Sequence, residues 1–147
     1  MVLLGAQIGE RVTIIDAKGL ILGRMASILA KRLLNGERII VVNAGDAVIS
    51  GDKHMLIRQY HEYLQIGHPG KGPLHARRPD RIVKRAIRGM LPYKQPRGRE
   101  ALKRLRVYVG VPDELKGKPM ETIPEADASR LRGPRITVSE LSKHIMG

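Results

Sequence analysis

The chain has 147 residues, 27 of them Lys or Arg and 14 Asp or Glu, for a formal net charge of +13. It contains no Cys, Trp or Phe and only four Tyr, which excludes disulfides, thiolate metal centres and thiol chemistry. At 42% hydrophobic residues it is too apolar for a disordered basic tail, and no apolar run nears the roughly 18 residues of a membrane span.

One domain over residues 1–147 is expected at this length. The first apolar stretch, Met1–Ala6, is too short for a secretory leader. Val12-Thr13-Ile14-Ile15, ahead of Asp16, reads as a buried strand. Lys18-Gly19 makes a turn. Leu22, Met25, Ala26, Leu29, Ala30 and Leu33 then share one helical face, and Asn35-Gly36 closes that helix. Ile39-Ile40-Val41-Val42 is apolar on both sides, as a parallel strand covered on both faces would be. Strand, helix and strand within about 30 residues form a βαβ unit.

Ala47–Ser50 is a candidate third strand. Asp52 is placed to cap a helix running to about Leu64, with Leu56, Tyr60, Tyr63 and Leu64 inward. Gly67–Pro73 is a loop by composition. Pro79 suits the first turn of a helix whose inner face is Ile82, Val83, Ala86, Ile87, Met90 and Leu91. Arg81, Lys84, Arg85 and Arg88 fall on its outer face, a stripe roughly 20 Å long. Pro92–Gly98 reads as an irregular basic loop. A helical turn near Glu100–Arg104 leads into a last strand, Leu105–Val109. The remaining segment, about 113–147, is Pro-rich and expected to wrap the surface or meet a neighbour. Thr137 and Glu140 have capping-box spacing for a short final helix.

The charge is not spread evenly. Residues 1–67 carry net +2, residues 107–147 net zero, and residues 68–106 net +11, with nine Arg and four Lys. Such a concentration repels itself unless a polyanion neutralises it. The predominance of Arg suits bidentate phosphate contact more than mere solvation. Few aromatics are available to stack bases, Tyr93 in the basic loop being the fair candidate. That leaves recognition of a folded RNA through its shape and backbone.

Catalytic signatures are weak. The turn at Asp16–Arg24 has neither GxGxxG nor GK[ST]. His54 and His61 lack the HExxH pattern or a matching carboxylate, so no metal is expected. Asp16 and Asp46 follow predicted strands and are read as capping turns or pairing with Arg. A Rossmann-like enzyme acting through Asp16 is the alternative from another class.

Three stretches carry a family likeness. They are Ile15–Gly19 with Leu22–Ser27, Val41–Ala44 leading to Ser50-Gly51, and Arg77-Arg78-Pro79 through Ile87–Pro92 with Gly98-Arg99 and Leu105–Gly110. In them the chain resembles the universal large-subunit ribosomal protein thirteen family, in its archaeal–eukaryotic branch, over about residues 12–112. The resemblance implies a three-layer α/β/α domain with a small, mainly parallel four-stranded sheet and an extended tail. It implies a non-catalytic, cytoplasmic constituent of the large ribosomal subunit that binds large-subunit rRNA beside neighbouring ribosomal proteins. No cofactor, small-molecule substrate or membrane enters that reading. The matching basic residues are Lys18, Arg24, Arg77, Arg78, Arg88 and Arg99. The basic segment read residue by residue adds Lys71, Arg81, Lys84, Arg85, Tyr93, Lys94, Arg97, Lys103 and Arg104 as RNA-contacting candidates.

Overall fold

Alternation along one strand decides the architecture. In β2 (Arg38–Val42), Ile39 and Val41 point to one face of the sheet and Ile40 and Val42 to the other, all four buried. A strand buried on both sides must be central, and it is. β1 (Val12–Asp16) pairs with it in parallel on one edge and β4 (Leu105–Val107) in parallel on the other. These relations come from a computed structural model, which describes residues 12–66 and 78–146. The loop at 67–73, with Lys71, and Arg77 lie outside the described residues, as do the side chains of Tyr63 and Leu64.

Helices cover one face. α1 (Leu22–Leu34) buries Met25, Ala26, Leu29, Ala30 and Leu33, the face its spacing predicted. It ends where expected: Gly36, at φ +99°, donates to the Leu33 carbonyl and Glu37 to that of Arg32. This paired closure needs a residue tolerant of positive φ. α2 (Lys53–Ile66) starts at Asp52, whose carboxylate accepts the Met55 amide at 3.0 Å. α3 (Pro79–Arg88) seats Ile82, Val83 and Ile87 in the core. α4 is Pro96–Lys103, and α5 (Val138–Met146) adds Leu141 and Ile145. Thr137 caps α5, accepting the Glu140 amide at 3.1 Å, as the capping box requires.

The α/β class is as expected, but three details differ. The segment read as a third strand, β3 (Val48–Ser50), does not join the parallel sheet. Asn43 adopts a left-handed conformation (φ 55°) and Ala44–Asp46 forms a 3₁₀ turn, so the chain leaves the sheet plane. β3 pairs instead, antiparallel, with β5 (Arg135–Thr137) from the tail. The described residues therefore hold a three-stranded parallel sheet and a separate two-stranded pair. The second face of the parallel sheet is covered not by helices but by irregular chain. There Ile14, Ile40 and Val42 pack with Leu115, from the 3₁₀ turn Asp113–Leu115, and with Tyr108, Val111 and Met120.

The tail also closes the free edge of β1. The Asp16 amide donates to the Glu121 carbonyl and the Glu121 amide to that of Ile14. Covering an edge removes a row of unpaired donors that would otherwise invite pairing with another chain. So the tail is part of the fold, wrapping the sheet's edge and its second face. Leu115 is 1% exposed although no regular strand or α-helix carries it. Leu115→Ala is expected to cost about 2–5 kcal/mol, read as a lower urea midpoint with unchanged slope.

Candidate nucleic-acid interface

α3 has the sharpest division of polarity among the described helices. Its apolar side is anchored, and Arg81, Lys84 and Arg88 on the other side are exposed, with Arg85 half-buried between them. Pro79 occupies the first turn, where its missing N–H costs nothing, and Asp80 sits beside it at the helix's positive end. Arg85 and Arg88 lie in the last turn, where cations suit the dipole.

After α3 the chain turns a tight corner. The Met90 amide donates to Ile87, Leu91 to Arg88 and Tyr93 to Leu91. Leu91 is buried and anchors this corner. Met90 does not: it is 45% exposed, because the turn closing α3 rotates it off the inner face. Nor is Pro92–Gly98 irregular to its end. Pro96 opens α4, for which its fixed φ is suited. β4 is correspondingly shorter than the strand read at Leu105–Val109.

Gly98 has an internal role. It is buried in the first turn of α4. A Cβ there would overlap the Pro92 carbonyl and come within 2.8 Å of the Tyr93 amide nitrogen. That close approach holds the Tyr93 corner against α4.

Corner and helices together form an open groove lined by Arg81, Lys84, Arg85, Arg88, Tyr93, Arg99 and Leu102. Five cations and no carboxylate face it. The two acids of the basic segment are engaged elsewhere: Asp80 with Arg78 at 3.4 Å, and Glu100 with Lys103 at 3.5 Å. Arg81, Lys84, Arg88 and Arg99 pair with no carboxylate among the described residues. Arg88 lies 4.5 Å above the Tyr93 ring centroid, and Arg99 donates to the Lys94 carbonyl at 3.2 Å. Both guanidinium groups are thereby held in place.

The remaining sequence candidates divide. Lys94 and Arg97 are exposed on the loop and the start of α4, Arg97 donating to Gln95 at 3.3 Å. Arg78 and Lys103 are exposed but carry the ion pairs just named. Lys18 and Arg24 are exposed at the carboxyl end of β1 and the start of α1, and do not line the groove. Arg104 belongs to the interior. It is half-buried and donates to the Leu33 carbonyl at 2.7 Å, capping the end of α1. Leu102 was the lining residue that sequence reading missed. With α4 started at Pro96, its spacing of three from Arg99 would have placed it on the same face.

The alternative catalytic centre is occupied by structural bonds. The Asp16 carboxylate accepts the Lys18 amide and the Asn43 side-chain amide, both at 3.0 Å. It ties the ends of β1 and β2 together, the turn-capping role expected of it.

Comparison with known proteins finds similarity to one family. The family model described as ribosomal protein L13 matches residues 10–114. A protein of Archaeoglobus fulgidus named large ribosomal subunit protein uL13 is 50% identical over 140 residues, covering 94% of this chain and 90% of its own. Proteins of the same name are similar in Methanosarcina barkeri, 53% identical over 89% of this chain and 95% of theirs, and in Saccharolobus solfataricus, 44% identical over 97% of each.

In a helix, alanine is ordinarily favoured over glycine by about 1 kcal/mol. At Gly98 the sign should reverse: Gly98→Ala is expected to lose roughly 1–3 kcal/mol through overpacking, measured by chemical denaturation. An unchanged or raised stability would show that α4 does not rest on the Pro92 carbonyl.

Proposed function

The chain belongs to the ribosomal protein L13 family, in its archaeal–eukaryotic branch, and from that membership we propose that it is a structural constituent of the large ribosomal subunit. It is no enzyme. It binds large-subunit rRNA through the groove between α3 and α4 and supports subunit assembly in the cytoplasm, beside neighbouring ribosomal proteins.

The observation carrying the RNA-binding part is the convergence of five cations on one carboxylate-free groove. Each phosphate neutralised releases condensed counterions, so affinity is strongly salt-dependent. Arg supplies paired N–H donors that match phosphate oxygens, while Lys84 acts as a point charge. Lys94 and Arg97 extend the cationic surface beyond the groove. Recognition by backbone and shape needs no reaction and no cofactor.

Binding to a transcribed large-subunit RNA fragment is expected to weaken steeply with salt. A surface contacting 6–10 phosphates loses about 10³–10⁵ in affinity between 50 and 200 mM salt. The side chains of Arg81 and Lys84 make no hydrogen bond or ion pair with described residues. Changing both to Gln is therefore expected to lower the salt slope by about two, with the melting temperature unchanged or slightly raised as like-charge repulsion is relieved. A salt-independent affinity would contradict the proposal.

A further inference from the structure

A groove built only to track phosphates has no use for apolar walls. This one has two: Tyr93, 37% exposed, and Leu102 on the adjacent helix. Its volume is about 450 Å³, within the ~300–1,000 Å³ of sites that enclose a small molecule. Arg88 on the Tyr93 ring fixes the ring's orientation before any ligand arrives. A side chain already ordered loses less freedom on binding.

Resting on the RNA reading above, we propose that this groove receives one unpaired RNA base. The base lies against Tyr93 and Leu102, and its flanking phosphates sit on Arg81, Lys84 and Arg99. Stacking on Tyr93 and Arg88 is available to any base, since every base has a π-face. No hydrogen-bonding acceptor side chain lines the groove apart from the Tyr93 hydroxyl. The site therefore selects for an extruded nucleotide over a paired one. A base already unpaired, in a bulge or loop, enters without the cost of breaking a pair.

The test uses the full chain and three RNA hairpins with an identical stem: fully paired, with a single 2-aminopurine bulge, and with an abasic bulge. The 2-aminopurine hairpin is expected to bind about tenfold tighter than the other two, with its fluorescence quenched on binding. Tyr93→Ala should abolish that preference and the quenching, so that the three hairpins bind alike. Tyr93→Phe, which keeps the ring, should retain both. Equal, salt-sensitive affinity for all three hairpins would overturn the base site and leave the phosphate groove standing. Failure to bind any of them in a salt-sensitive way would overturn the RNA-binding reading as well.

Discussion

Arg81, Lys84, Arg85 and Arg88 repel one another along a single helix, and what holds them there is the burial of Ile82, Val83 and Ile87 on its other side. The magnitudes decide it. Like charges one turn apart cost about 0.2–0.5 kcal/mol per pair. Each buried aliphatic side chain contributes about 1.5–3 kcal/mol. Three such side chains outweigh the repulsion several times over, so the helix stays folded and the stripe is held ready for an anion. The basic surface is thus carried by the core.

The core in turn depends on β2, buried on both faces. Helices α1, α3, α4 and α5 join Ile39 and Val41 in one hydrophobic cluster. Irregular chain centred on Leu115 seals the other through Ile40 and Val42. Arg104 links these layers to the groove: it follows α4 directly and bonds the last turn of α1 at Leu33. A cation near the interface thereby serves the scaffold, while Arg99, five residues earlier, faces the groove.

Where local pattern carried the information, the fold was legible in the sequence. Six apolar residues at helical spacing gave α1, Gly36 its end, Asp52 and Thr137 two caps, and unbroken apolarity the central strand. Where the structure rests on non-local contacts, the sequence was mute. β5 has three residues, too few for its alternation to stand out, and it exists because β3 lies opposite. Leu115 is buried because the second sheet face needs cover, and nothing beside it in the sequence says so. The stripe on α3 was readable from spacing alone. The groove was not, since it requires knowing that α4 begins at Pro96 and that Gly98 meets the Pro92 carbonyl. Arg104 was counted as a surface cation because charge alone cannot tell a phosphate ligand from a helix cap.

The central claim is that the α3–α4 face, and not the irregular chain on the opposite face of the sheet, meets RNA. Residue-by-residue amine labelling of the chain, free and bound to a large-subunit RNA fragment, tests it most directly by mass spectrometry. Lys84 lines the groove and Lys94 lies on the corner beside it, while Lys116 and Lys118 belong to the chain covering the second sheet face. Strong protection of Lys84 and Lys94, with Lys116 and Lys118 still reactive, is the predicted result. Protection of Lys116 and Lys118 with Lys84 unchanged would contradict it.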